Sequence, residues 1–262
     1  MKDRPWSRFF QSPFPNQPGF GRGVSFIREW LFPSGCPVCG KLLLDARDAW
    51  SGLCGDCKAV FSLGDENRCS LCGRPLISEK DRCLPCREGG ERCFDRAFAV
   101  FPYTGAYQKL LRAYKFGTSR SLGNFFVEKL RESLSFFPLG EMKNPCWVPV
   151  PPRPGKLRRY GWDQVEYLAR LLEKQYREPG APAGGLPVYR CLKRFSAQTQ
   201  KGLNRENRRT NLRGRIRCTK KPPSEVFLFD DVITTGATLD ACAGALKEGG
   251  AEKVYGIGLF YD

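Results

Sequence analysis

The stretch Val226-Phe227-Leu228-Phe229-Asp230-Asp231-Val232-Ile233-Thr234-Thr235-Gly236-Ala237-Thr238 decides how this chain folds. Residues 226–229 form an apolar run of the length of a buried parallel strand, and two adjacent carboxylates stand where that strand should end. Asp230 and Asp231 are thereby expected to face a crevice. Small hydroxyl residues around a glycine follow. Beyond them Leu239, Cys242, Ala243 and Leu246 fall at i, i+3, i+4 and i+7, the spacing of a helix with one apolar face. Strand, small-residue turn and helix N-terminus in this order make a phosphate cradle. Free backbone N–H groups and threonine hydroxyls donate to phosphate oxygens, glycine permits close approach, and the helix dipole favours the anion. Two carboxylates one loop away suit the vicinal hydroxyls of a ribose.

The surrounding pattern repeats the alternation of strand and helix. Residues 97–101 read as a strand, Tyr103-Thr104-Gly105 as a turn, and residues 106–115 as a helix carrying Leu110, Leu111 and Tyr114. A second helix is expected over 121–134. Trp147-Val148-Pro149-Val150-Pro151 reads as a strand entering a proline-rich loop, and Val165, Leu168, Ala169 and Leu172 mark the next helix. A helix over 238–248, ended by Gly249-Gly250, joins the strand at 226–229 to one at 254–260. The pattern predicts an α/β fold with a mostly parallel sheet flanked by helices, its ligand at the C-terminal ends of the strands.

Upstream the composition changes. Eight of the 13 cysteines form four C-x-x-C pairs: Cys36/Cys39, Cys54/Cys57, Cys69/Cys72 and Cys83/Cys86. Each pair can offer two thiolates to one ion, and two pairs complete a tetrahedral structural site. C-P-V-C-G and C-S-L-C-G read as zinc knuckles, and Cys54 begins a short helix. Cys36, Cys39, Cys54 and Cys57 are expected around one zinc, and Cys69, Cys72, Cys83 and Cys86 around the other. An iron–sulfur cluster would use the same ligands; the knuckle glycines favour zinc. Disulfides are disfavoured by the absence of a secretory signal and by five leftover cysteines, of which Cys242 reads as core. The segment is short and poor in large aliphatic residues, so metal must supply part of its folding free energy. Its two halves form a weak tandem repeat. The organisation expected is a disordered N-terminus over 1–23, a cysteine-rich zinc-ribbon or treble-clef module over 24–92, and the α/β domain over 93–262. Residues 24–32 are expected to form one amphipathic turn or two, packed on the zinc module or on a partner.

The chain of 262 residues has no apolar stretch near the ~20 residues needed to span a bilayer, and its N-terminus lacks the apolar region of a signal peptide. A cytoplasmic protein without membrane insertion is expected. Its formal charge is +16, which two Zn(Cys)₄ centres, each leaving −2, would reduce to +12. Residues 153–220 hold 18 Lys and Arg against 5 Asp and Glu, a local +13. Arg190, Lys193, Arg194, Lys201, Arg205, Arg208, Arg209, Arg213, Arg215, Arg217 and Lys220 face only Glu206 in sequence. Such a segment suits a polyanion, and Phe195, Tyr189, Tyr160 and Trp162 offer faces for unpaired bases. A solvated loop or an anion-gathering rim has the same composition.

Two acidic residues followed by T-T-G-x-T closely resemble the phosphoribosyl-pyrophosphate (PRPP) signature of type I phosphoribosyltransferases. The resemblance widens with the four C-x-x-C pairs, Y-T-G-A-Y-Q-K-L-L-R-A-Y-K-F-G, V-P-V-P before R-R-Y-G-W-D-Q, and L-K-R-F-S-A-Q-T-Q-K-G-L-N-R-E-N-R-R-T-N-L. Together these resemble the ComF family, phosphoribosyltransferase-like proteins with an N-terminal zinc module that are associated with DNA uptake in competent bacteria. The resemblance implies that Asp230 and Asp231 hold the ribose diol and that Thr234, Thr235, Gly236, Ala237 and Thr238 hold the 5′-phosphate. Arg153 would lie in a pyrophosphate loop, with Lys115 toward the same anion. It also implies magnesium bound with PRPP and protein partners in the uptake machinery, while the charge of the basic segment points to single-stranded DNA along Arg205, Arg208, Arg209 and Arg213. An active transferase passing phosphoribosyl to an unidentified acceptor is the alternative, and it would need no side-chain nucleophile, only positioning and charge stabilisation. The sequence departs from the family at Asp163, where asparagine is more usual.

Overall fold

The computed structural model describes residues 34–63, 67–76, 80–89, 91–116, 119–177, 185–196 and 214–262. Four strands, β1 (Arg96–Pro102), β2 (Cys146–Pro149), β5 (Glu225–Ile233) and β6 (Lys253–Tyr261), form one parallel sheet in the order β1-β6-β5-β2. Between β1 and β2 run α4 (Gly105–Lys115) and α5 (Leu122–Glu132); α7 (Gln164–Arg177) follows β2, and α8 (Ala237–Glu248) joins β5 to β6. A short antiparallel pair, β3 (Leu192–Arg194) and β4 (Ile216–Cys218), packs against α8. Sequence periodicity did not mark this pair, because three residues are too few to show alternation. Among the described residues no helix is long and apolar enough to cross a membrane.

The run at 226–229 looks uniformly apolar because the strand is covered on both faces. Phe227 and Phe229 join the core that includes Trp147, Leu168 and Ile257, on the α5 and α7 side. Val226 and Leu228 join Val148, Val254, Leu239 and Leu246 under α8. That second layer is tight. A Cβ on Gly256 would stand 2.3 Å from Leu239 Cδ2, and one on Gly258 would stand 2.4 Å from Ile233 Cγ1.

β5 is longer than its apolar run. It continues through Asp230 and Asp231 to Ile233, which pairs with Tyr261, so the carboxylates stand within the strand rather than beyond it. The neighbouring β6 extends equally far and carries the hydrogen-bond ladder on.

The cysteine-rich segment folds as two copies of one unit. In the first, Cys36 N donates to Lys41 O and Gly40 N to Cys36 O; in the second, Cys69 N donates to Arg74 O and Gly73 N to Cys69 O. Gly40 and Gly73 both adopt positive φ, 80° and 68°, which closes each knuckle. Helices α2 (Gly55–Val60) and α3 (Leu84–Glu88) begin directly after the third cysteine of each copy, Cys54 and Cys83. The first copy also carries α1 (Ala46–Ser51), capped by Asp45.

This module shares its core with the sheet. Phe61, fully buried, meets Phe101, Tyr107 and Phe125 edge-on at centroid distances of 6.3, 5.0 and 6.4 Å. The second copy covers the free edge of β1: Ala97 N donates to Leu71 O at 2.7 Å, and Arg68 Nη1 donates to Gly73 O and Ala99 O. An otherwise open strand edge is thereby paired.

Candidate functional site

Parallel strands bring their C-terminal ends to one side, and there a crevice of about 1060 Å³ opens. It gathers Lys115, Arg153, Asp230, Asp231, Thr234 and Thr238 from three separate stretches of sequence. Thr235 and Gly236 lie on the far side of the same loop and line a smaller cavity of about 290 Å³ against the second ribbon. Gly236 takes φ 73° as it enters α8, where its carbonyl accepts from Asp240 N, and Thr235 Oγ1 accepts from Ala237 N at 3.3 Å. Residues 234–237 thus form a glycine turn at a helix N-terminus, a kind of backbone that can offer N–H groups to an anion.

The acidic pair is electrostatically uneven. Asp230 Oδ1 accepts from Asp231 N at 2.8 Å, and burial, followed by the adjacent Asp231 carboxylate, pushes the Asp230 carboxyl well above the usual range. Asp231 instead has a cation: Lys115 Nζ stands 3.2 Å from its Oδ2. Lys115 therefore reaches the crevice on the carboxylate side.

Several contributors lay outside the sequence expectation. Arg194 lines the crevice, and burial, with Arg153 nearby, makes its guanidinium easier to deprotonate than usual. The Cys242 and Asp230 side chains act in the other direction. Lys156, on the short helix α6 (Lys156–Tyr160), contacts Asp163 and Gln164. Asp163 also accepts from Glu166 N at 3.0 Å, capping α7. The D-x-x-E spacing of a helix start was the available signal for that role. The negative charge at Asp163 is thus matched by Lys156 and by a helix N-terminus.

The basic segment is divided in space. Arg190 holds Glu173 through both terminal nitrogens and Glu166 through Nε, so it ties the approach to β3 onto α7 and its charge is spent internally. Lys193 and Arg217 flank the exposed Phe195 ring at 5.5 and 6.0 Å, and Lys220 lies 4.2 Å from the Tyr189 ring. Tyr160 is exposed at the crevice rim, whereas Trp162 packs edge-on against Tyr114 and Tyr167. Arg205, Arg208, Arg209 and Arg213 lie outside the described residues, as do residues 1–33.

Both cysteine groups converge. Cys36, Cys39, Cys54 and Cys57 bring their sulfurs within 4.8 Å of one another, as do Cys69, Cys72, Cys83 and Cys86. Closest approaches of 3.6 Å, Cys39 to Cys54 and Cys72 to Cys83, are near the edge of about 3.8 Å that a tetrahedron of Zn–S bonds requires. Burial acts to raise Cys36 and Cys69. Backbone N–H groups of Cys54, Cys39 and Val38 in one copy, and of Cys72, Cys83 and Leu71 in the other, nevertheless hold each thiol down at about 7. The donor set fits two structural zinc ions, which would add cross-links that a small module lacks. Of the remaining cysteines, Cys242 on α8 and Cys146 and Cys191 in the core it packs on are buried, and burial pushes each thiol up.

A family model described as a double zinc ribbon domain matches residues 27–87. Three relatives align over most of the chain. Competence protein ComFC of Streptococcus pneumoniae is 29% identical over 231 residues, 84% of this chain and 96% of the relative. Competence protein F of Haemophilus influenzae is 26% identical, covering 80% and 91%, and competence protein ComFC of Bacillus subtilis 27%, covering 76% and 79%.

Proposed function

Since the chain belongs to the ComF family, we propose that it binds PRPP, or a related phosphoribosyl ligand, together with magnesium in the crevice above β5, binds single-stranded DNA beside it, and serves DNA uptake. The observation that carries the phosphoribosyl part is the meeting of Asp230 and Asp231 with the turn into α8 at one crevice edge. Arg153, Lys156 and Arg194 line the same crevice. A ribose phosphate has a diol for the carboxylates, a 5′-phosphate for the turn and a pyrophosphate for the cations. Magnesium would come with the ligand's own oxygens and keep most of its waters. The competence role is supported by the relatives' names. The DNA part is supported by the Phe195 and Tyr189 rings set among Lys193, Arg217 and Lys220, a stacking face inside a basic field.

Calorimetry with magnesium and PRPP tests the first part. Asp231→Asn and Gly236→Val should each abolish binding with the fold retained, and unchanged affinity in either removes the assignment. For the second, neutralising Arg205, Arg208, Arg209 and Arg213 should lower the salt slope of single-strand binding by ~0.7 per lost phosphate contact, while PRPP affinity changes little. No single-strand affinity at low salt would sink the DNA reading. The crevice volume favours a second reading, phosphoribosyl transfer, because about 1060 Å³ reaches the upper end of small-ligand sites and leaves room for an acceptor beside PRPP. Pyrophosphate release with candidate acceptors decides it.

A further inference from the structure

The second ribbon meets the turn into α8 directly. Arg74, two residues after Cys72, donates from Nη2 to Asp262 O at 3.2 Å and to Thr234 O at 3.5 Å, with its guanidinium 5.8 Å from the Tyr261 ring. From the opposite side comes Arg92, six residues after Cys86. Its Nη1 lies 4.0 Å from where a Cβ on Gly236 would stand, and its Nη2 lies 3.8 Å from the same point on Gly89, the residue that ends α3. Its Nε is buried with no hydrogen-bond partner among the described residues. The next residue is pinned, since Cys93 N donates to Asp240 Oδ1 at 2.7 Å in the first turn of α8. Between the two arginines lies the cavity of about 290 Å³, walled by Cys72, Cys83 and Cys86 on one side and by Thr234, Thr235 and Gly236 on the other. By contrast, Cys36, Cys54 and Cys57 pack into the aromatic core around Phe101 and Phe125.

We infer that the second zinc centre positions the phosphate turn: a metal on Cys69, Cys72, Cys83 and Cys86 and an anion on residues 234–238 stabilise each other through Arg74 and Arg92, which act as positioning residues. This rests on the phosphoribosyl reading. The Thr234 carbonyl that Arg74 holds belongs to the peptide leading into Thr235, so moving the ribbon rotates the N–H groups that would face a phosphate. Arg92 adds a positive charge behind the same N–H groups. A metal that fixes the ribbon fixes both arginines, and an anion that orders the turn returns the constraint to the ribbon by thermodynamic reciprocity. The first centre packs instead into the aromatic core around Phe101 and Phe125.

The test uses the full-length, zinc-loaded protein, with cysteine alkylation read by peptide mass in the presence and absence of magnesium and PRPP. Alkylation of Cys72 and Cys83 should slow about fivefold or more when PRPP is bound, while Cys39 and Cys54 react at unchanged rates. In Arg74→Ala that protection should disappear while calorimetry still detects PRPP at reduced affinity; Arg74→Lys, which keeps a donor and a charge, should restore part of it. Equal rates with and without bound PRPP overturn the inference, and so does full protection in Arg74→Ala, which would mean that PRPP simply shields the cysteines. If the wild-type protein gives no PRPP binding heat, the phosphoribosyl reading falls first and this inference with it.

Discussion

Consecutive carboxylates in a strand usually point to opposite faces, but Asp230 and Asp231 both border one crevice because β2 stops opposite Phe229 and leaves that side of β5 open beyond it. Their fates differ with their neighbours. Lys115 accompanies Asp231, whereas Asp230 is pressed by burial and by Asp231 into holding its proton. As pH rises from the ordinary carboxylate range, the unfolded chain releases that proton before the folded one does. Stability therefore falls up to the folded pKa and stays lower beyond it. Asp230→Asn should remove this loss, leaving a protein more stable than wild type to urea at pH 8, with a smaller difference at pH 5, yet unable to bind PRPP. A variant less stable than wild type at pH 8 would contradict the assignment of strain to that carboxyl.

At the scale of elements, the two ribbons show how one local code acquires two meanings. Gly40 and Gly73 occupy the same knuckle position with nearly the same positive φ. A Cβ on Gly40 meets nothing within 4 Å, but one on Gly73 would lie 2.5 Å from Ala97 O and Phe98 Cα. Gly40→Ala should cost about 1–2 kcal/mol, the strain of a left-handed alanine. Gly73→Ala should cost about 1–3 kcal/mol more, because the clash is with the backbone of β1 and the ribbon must draw away from the strand edge. Urea unfolding of the two variants side by side checks this. Equal losses would mean that the second ribbon is not docked on β1. Asp163 teaches the same lesson about context: its charge is taken up by the α7 N-terminus and Lys156.

For the whole molecule, the shared core predicts that ribbons and sheet unfold together. Phe61→Ala should cost about 3–5 kcal/mol and lower a single cooperative transition, because the cavity opens between Phe101 and Phe125 as much as within the module. Two separated transitions would show instead that the module is an independent body. Zinc removal by chelation should likewise destabilise the sheet, by exposing the β1 edge that Leu71 and Arg68 now cover. Much of this architecture was legible in the chain. The apolar run at 226–229, the glycine turn and the helical spacing after it encode local geometry, and four C-x-x-C pairs encode two tetrahedral donor sets, because ligand spacing along the backbone is itself the constraint. Charge partners were not legible. Arg190 meets Glu166 and Glu173, Lys115 meets Asp231, and Arg74 reaches a carbonyl 160 residues away. Those meetings depend on sheet order and on where the second ribbon docks. Side-chain periodicity specifies which face of an element is buried, but only the packed fold sets which charges then lie within reach of one another.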